Sequence, residues 1–354
     1  MVFCFGERAL IEDKDKITEI KNSYPSSPIL YISTSGEIIN NSVLDGSLSI
    51  TALYFEKSKI EIFEFTTTEY QTQKALAEDI VAKINKDGLK HIVIFSEGLN
   101  VNGTTLTNNL NQILPENVSV TGGLAGDNAS FIKTVVGLND NPSQDKLLAI
   151  CFYGDNLHIS YSSNGGWDNF GLTRTITKSK DNVLYELDGE PALDIYKKYL
   201  GDKAKDLPAS GLLFPLKIST NVNGNNVDVV RTILKINDME KSLTFAGDVP
   251  EGSSATLMQA NMDKIINAAG NAAESSLKED TKSPQFALLV SCVGRKLVLK
   301  ERTEEEIESV RNVLGPDVAI TGFYSYGEIC PVSKDEKKCS LHNQTMTITL
   351  FKED

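Results

Sequence analysis

Basic clusters, long apolar runs, histidines and paired-cysteine motifs are all scarce in this chain. Its 354 residues carry 35 Lys or Arg against 48 Asp or Glu, a net charge of −13. No stretch gathers enough cations to hold a polyanion, so nucleic acid is not an expected partner. The longest apolar run, Leu147 to Tyr153, falls far short of the roughly 20 residues that a spanning helix needs, and membrane insertion is not expected. The N-terminus opens apolar but soon reads Glu12-Asp13-Lys14-Asp15-Lys16, which is not a signal peptide. Five scattered cysteines fit reduced thiols in a cytoplasm. Cys330 and Cys339 are the nearest pair and match no zinc spacing. Only three histidines are present, and no metal site is expected. A phosphate-binding P-loop, a Gly-x-Ser-x-Gly elbow and a His-Glu-x-x-His helix are missing too, which favours a binding protein over an enzyme.

What the sequence does have is one phrase in three versions: an apolar strand, a hydroxyl, glycine, then an acid. It reads Tyr31-Ile32-Ser33-Thr34-Ser35-Gly36-Glu37, Val120-Thr121-Gly122-Gly123-Leu124-Ala125-Gly126-Asp127, and Ile320-Thr321-Gly322-Phe323-Tyr324-Ser325-Tyr326-Gly327-Glu328. Glycine lets a chain turn tightly or lets a ligand touch backbone.

Residues 1–27 read as a leader with one short helix near Ile17 to Tyr24. Alternation at Leu48 to Phe55 and Ile60 to Phe65 suggests a β-hairpin. Helical spacing marks 71–85, 104–114, 192–200, 256–277 and 303–314, with Thr303 and Glu306 spaced as a capping box. Strands are expected at 29–33, 91–95, 147–153, 157–162, 172–177, 212–219, 228–236, 243–245, 286–290 and 345–351. Residues 71–153 and 256–351 share one order of elements, as two copies of a unit would. Equivalent loops of such copies are expected to line one hollow, as small-ligand sites do in α/β proteins.

These residues resemble the FIST family. The resemblance rests on Ser33-Thr34-Ser35-Gly36-Glu37-Ile38, Thr121 to Asp127, Gly166-Trp167, Tyr185 to Ala192, Phe245-Ala246-Gly247-Asp248-Val249-Pro250-Glu251-Gly252, Ser291 to Arg295 and Gly322 to Ile329. It implies an α/β protein of two domains, 28–190 similar to FIST N and 191–354 similar to FIST C, with mixed sheets and helices packed outside. It also implies a cytoplasmic, bacterial type of signal-transduction sensor. Such a sensor would bind a small molecule, with amino acids as the proposed class, and act through a histidine kinase, a chemotaxis receptor or a second-messenger enzyme. A haem-based nitric-oxide sensor is a further reading that the resemblance brings. No cofactor is required by the sequence.

The candidate ligand-binding residues are Gly122, Gly123, Asp127, Cys292, Arg295, Tyr324, Tyr326 and Glu328. In this reading Glu328 or Asp127 meets an ammonium, glycine N–H groups or Arg295 meet a carboxylate, and the two tyrosines face one side of an extended segment as a wall. Each has a plainer alternative: the acids cap turns, the tyrosines pack in a core, and Arg295 pairs with one of many acids. Arg231, in an apolar run, is a second candidate for the anion site. Trp167 reads as core or domain interface. Cys292 beside Arg295 is either an inert buried thiol or an activated one, which leaves a thiol-dependent enzyme open. His91, His158 and His342 are the only histidines that could ligate haem.

Overall fold

The computed structural model describes residues 1–222, 225–278, 280–332 and 337–354. The chain opens with β1 (Val2–Gly6), α1 (Arg8–Ile11), α2 (Lys14–Ser23), β2 (Ile29–Ser33), β3 (Glu37–Ile39), β4 (Ser42–Leu44), β5 (Leu48–Ala52) and β6 (Lys59–Thr66). It continues through α3 (Gln73–Lys83), β7 (Leu89–Ser96), α4 (Gly103–Ile113), β8 (Ser119–Leu124), β9 (Val136–Leu138), β10 (Lys146–Tyr153) and β11 (Leu157–Asn164). Next come β12 (Asp168–Lys180), β13 (Val183–Leu187), β14 (Glu190–Pro191), α5 (Ala192–Leu200), β15 (Leu216–Val222), β16 (Asn225–Arg231), β17 (Ile233–Asn237), β18 (Ser242–Phe245) and β19 (Ser254–Gln259). The last part holds α6 (Met262–Ser276), β20 (Phe286–Cys292), α7 (Val293–Leu299), α8 (Thr303–Leu314), β21 (Ala319–Ser325), β22 (Gly327–Pro331), β23 (Cys339–His342) and β24 (Met346–Glu353). Side-chain caps start several helices: Asp13, Thr72, Asn102 and Asn261 each accept a backbone N–H of the first turn.

Three sheets surround one core. Their orders are β5-β1-β2-β9, β6-β10-β7-β8-β22-β23 and β11-β24-β20-β21-β3-β4. Each is built on a parallel pair joined by helix: β1 with β2, β7 with β8, and β20 with β21. After each pair the chain leaves its own sheet. β3 crosses from the first sheet to lie against β21, β22 crosses from the third to lie against β8, and β9 crosses from the second to lie against β2. The crossings are tied by a ring of backbone hydrogen bonds. Ser35 N donates to Tyr324 O at 2.9 Å, Tyr326 N to Leu124 O at 3.1 Å, and Gly126 N to Ser33 O at 2.9 Å. The sequence suggested two like blocks; the topology contains three such pairs, the first formed within residues 1–33.

The inner faces of the three sheets meet in an apolar centre. Phe5, Phe95 and Phe323, one from each parallel pair, lie with ring centroids 4.9 to 5.8 Å apart. The outer faces are covered by α1 and α2 on the first sheet, α3 and α4 on the second, and α6 and α8 on the third. Residues 168–259 form a separate antiparallel sheet, β16-β15-β19-β12-β13-β18-β17, whose apolar face packs on α5. The division expected at 190/191 falls inside this sheet, at β14.

Several expectations change. The segment read as a leader supplies β1, every residue of which is buried, because its apolar start pairs in parallel with β2. β5 and β6 do not form a hairpin: β5 pairs with β1 and β6 with β10, since the turn between them carries the chain from one sheet to the next. Residues 256–259 belong to β19, and the long helix starts only after Asn261. The run 228–236 is broken at Thr232 into β16 and β17. Thr303 and Glu306 form no capping box, because Glu306 is drawn into a buried ion pair. Among the described residues no helix is long and apolar enough to cross a membrane.

Phe323 is fully buried at the meeting point of the sheets. Phe323→Ala is expected to cost about 3–5 kcal/mol, read from the midpoint of urea unfolding at unchanged slope. A loss below about 1 kcal/mol would show that the centre repacks freely.

Candidate functional site

The glycine-acid corners come together, and they are solid. β22 lies directly on β8, with Glu328 opposite Gly123 and Ile329 opposite Gly122. Gly122 must be glycine, since a Cβ there would sit 1.9 Å from Ile94 O; Gly322 meets Leu289 O at the same distance. Two corners share one device. Thr34 donates to Glu37 at 2.5 Å and Ser325 donates to Glu328 at 2.5 Å, both across three residues. The second oxygen of each acid accepts from elsewhere: Ser47 for Glu37, and the Thr345 N–H and hydroxyl for Glu328. The third corner departs. Ala125 stands where the hydroxyl would be, and the acid comes one residue early as Asp127. Its carboxylate accepts from Phe131, Ile132 and Lys133 N–H at 2.8 Å each and from the Tyr326 hydroxyl. It holds a loop in which Asn128, Ala129 and Phe131 all have positive φ, a strained arrangement for side-chain-bearing residues.

Burial pushes the Glu328 carboxyl up to about 8, with its hydroxyl and N–H donors opposing. The acid is therefore largely protonated at neutral pH and carries little charge for a ligand ammonium. Tyr324 and Tyr326 do not form one wall. The chain changes sheets between them, so Tyr324 reaches Glu306 at 2.6 Å on the third sheet's outer side, and Tyr326 stacks on Phe131 at 4.4 Å in the second. Arg295 is not available to a ligand. It is wholly buried, its Nε and Nη2 bind Glu306 at 3.0 and 2.8 Å, and its remaining donors go to the carbonyls of Gly165, Ile265 and Gln344. Cys292 is also buried, and desolvation together with the nearby Glu328 pushes its thiol up, against the smaller opposing effect of Arg295. This is the inert alternative, not the activated one. Trp167 lies at an interface, donating to Gln344 O at 2.8 Å and packing with Met258, Ile265 and Val298.

The histidines are engaged. His91 is fully buried between Ser119 and Thr121, at 2.7 and 2.8 Å, and burial holds it down at about 3. His342 bonds Cys330 O, and burial holds it down at about 4. His158 lies near the surface between Asp280 and Asp354. Haem ligation by any of them would first break these contacts. No group of three or more potential metal ligands occurs among the described residues.

Among the described residues a cleft opens elsewhere, and none of the eight candidate residues lines it. It has a volume of about 510 Å³ and runs between α4 and β8 on one side and β16, the 248–250 loop and β23 on the other. That size suits a small metabolite. Its inner wall holds Arg231, the second anion candidate. The guanidinium donates to the carbonyls of Asp248 at 3.0 Å, Leu341 at 2.9 Å and Val230 at 3.2 Å, while Nη2 makes only a 3.5 Å contact with the Thr104 hydroxyl. Among the described residues no carboxylate pairs with it. Burial lowers its pKa to about 10, with the nearby Asp248 opposing. Gly247 makes the placement possible, since a Cβ there would lie 2.9 Å from Arg231 Nε. Asp248 takes one hydrogen bond from Asn102 at 2.8 Å and lines the cleft beside Arg231. Thr107, Asn108 and Asn111 of α4 form the facing wall. Asp248 and Thr104 were missed by the sequence reading. The sequence does carry a signal for Asp248, because Gly247-Asp248 is itself a glycine-acid step like the other three.

Two measurements follow from this chemistry. Because the folded-state pKa of Glu328 lies above its unfolded value of 4.5, its contribution is fully present below that value and is lost as pH rises toward about 8. Glu37 and Glu97 are shifted in the same direction by burial, so the comparison with Glu328→Gln isolates one residue. The difference in unfolding free energy between wild type and variant should move in favour of the variant from about pH 5 to about pH 8; a constant difference would show that Glu328 is charged throughout. Cys292 should react with iodoacetamide in native protein only as fast as the chain unfolds, and fast stoichiometric labelling at neutral pH would restore the activated thiol.

The FIST N domain model matches residues 1–190 and the FIST C domain model residues 192–331. The uncharacterized protein MJ1623 of Methanocaldococcus jannaschii is 25% identical, over 84% of this chain and 61% of that protein, so the chain spans less than two thirds of that relative's length. A crystal structure of cyanuric acid hydrolase from A. caulinodans aligns with 84% of this chain and 99% of its own at 9% identity, with a TM-score of 0.19. Matched by both models in sequence order, the chain belongs to the FIST family, whose domains are associated with signal-transduction sensing.

Proposed function

We propose that the chain is a cytoplasmic small-molecule sensor whose ligand, an amino acid or a related metabolite, sits in the cleft between α4 and the β16–β23 wall. The observation that carries this reading is Arg231, a buried cation whose hydrogen bonds among the described residues go to carbonyls and one hydroxyl, at the wall of a cavity of metabolite size. A buried charge that no carboxylate contacts directly is costly, and a ligand carboxylate would supply that contact. Asp248 beside it would take the ammonium, and the amide of Asn108 on the facing wall would meet the side chain.

The cleft is wired to the corners. Leu341, whose carbonyl accepts from Arg231, lies opposite Ile329, and β22 begins two residues before that, next to Tyr326. A ligand that draws the antiparallel sheet toward α4 would therefore act on the Tyr326–Asp127 contact and on the loop it holds. The readout partner would be a histidine kinase, a chemotaxis receptor or a second-messenger enzyme.

Calorimetric titration with the amino acids and their keto and hydroxy analogues should reveal at least one ligand. Arg231→Gln should weaken it by about 10- to 100-fold, the worth of a charged hydrogen bond, and Asp248→Asn should weaken amines more than their keto analogues. No heat and no rise in melting temperature across the panel would sink the ligand class. Full affinity in Arg231→Gln would move the site.

A further inference from the structure

The three sheets are not filled alike. In the second sheet β6 lies outside β10, and in the third β11 lies outside β24, each antiparallel over eight residues. Both arrive by a crossing from another sheet, β5 leading to β6 and β10 leading to β11. The equivalent place in the first sheet is the one beside β5. Among the described residues no strand lies there, and β5 pairs with β1 alone.

The backbone of β5 is left half-bonded. Met1 and Leu53 exchange N–H to carbonyl bonds, and Glu7 N donates to Ser47 O. Odd-numbered residues thus face β1, and antiparallel geometry turns the N–H and C=O groups of Leu48, Ile50 and Ala52 to the empty side. Two hollows flank this edge. One of about 330 Å³ is lined by Leu48 and Ile50 with Leu10, Ile20 and Tyr24; the other, of about 440 Å³, runs from Ala52 to Phe286 and Phe351. In the filled positions, alternate side chains enter the apolar centre: Ile60 and Ile62 from β6, Leu157 and Ile159 from β11.

We propose that the open edge of β5 is a docking site for an extended segment of a partner protein. The segment adds antiparallel to β5 as one more strand and carries apolar residues at alternate positions, as the two filled equivalents do. Main-chain hydrogen bonds give such strand addition its affinity and the side-chain hollows give it selectivity. The inference does not depend on the cleft ligand.

The test uses the full chain and a synthetic peptide with the sequence of Leu157–Asn164, the occupant of the equivalent place beside β24. With saturating peptide, hydrogen exchange at the amides of Leu48, Ile50 and Ala52 should slow by about tenfold or more. Ala52→Pro removes an outward N–H at an exposed position and leaves the bonds to β1 intact, so it should abolish the slowing at unchanged melting temperature; Ile50→Pro serves the same purpose if Ala52→Pro melts early. Unchanged exchange with peptide overturns the proposal, as does slowing that survives both proline variants. Protection of these amides in peptide-free monomer would show the edge to be closed. Protection that rises with protein concentration alongside a dimer in sedimentation would show that a second copy, not a partner segment, covers it.

Discussion

Three backbone hydrogen bonds close the molecule on itself. Ser35 to Tyr324, Tyr326 to Leu124 and Gly126 to Ser33 join each parallel pair to the strand that has crossed from another sheet. Because every crossing strand ends in a foreign sheet, no sheet is complete without its neighbour. The glycines at 122 and 322 serve the parallel pairs themselves, where a Cβ would meet the carbonyls of Ile94 and Leu289 in the partner strand. The buried acids follow from the crossings. A corner that turns out of one sheet and into another leaves polar backbone and hydroxyls inside the protein, and Glu37 and Glu328 gather those donors where water cannot reach.

The two buried arginines show how surroundings divide one residue type between tasks. Arg295 is matched by Glu306 and spends its other donors on carbonyls of 165, 265 and 344, fastening α7, α8, α6 and the antiparallel sheet's entry to one point. Such a pair fixes geometry more than it adds stability, because both ions have been stripped of water. Arg231 also fastens segments together, but it does so through carbonyls alone and beside open space. The difference is that among the described residues no carboxylate bonds Arg231 directly, whereas Glu306 bonds Arg295 twice.

Much of the fold was legible. The helical stretches 71–85, 104–114 and 303–314 carry their apolar residues at helical spacing and are helices within a residue or two. The strand–glycine–acid phrases do mark equivalent points. What failed was long-range. Alternation identifies a strand but not its partner, so β5 and β6 looked like a hairpin when each belonged to a different sheet. For the same reason Tyr324 and Tyr326 seemed to share a face, although the chain leaves its sheet between them. The candidate site was placed on the corners because glycine and acid suggest a ligand. In the folded chain the hydroxyls at 34, 325 and 345 already satisfy those acids, and the cleft opens where Arg231 and Asp248 meet α4, three segments that no local pattern connects.

The crossing of β3 has a consequence for biosynthesis. β3 and β4 emerge from the ribosome within the first 44 residues and pair with each other, yet the strand that β3 lies against, β21, follows some 280 residues later. Until then the other edge of β3 has no mate, and the first sheet must wait for β9 before its own pair is flanked on both sides. Closure of the ring thus waits until β21 has been made, with a loop-closing entropy set by some 280 residues. A nascent chain halted before β21 would expose the very edges that the finished protein conceals, which makes this topology a natural client for chaperones that shield unpaired strands.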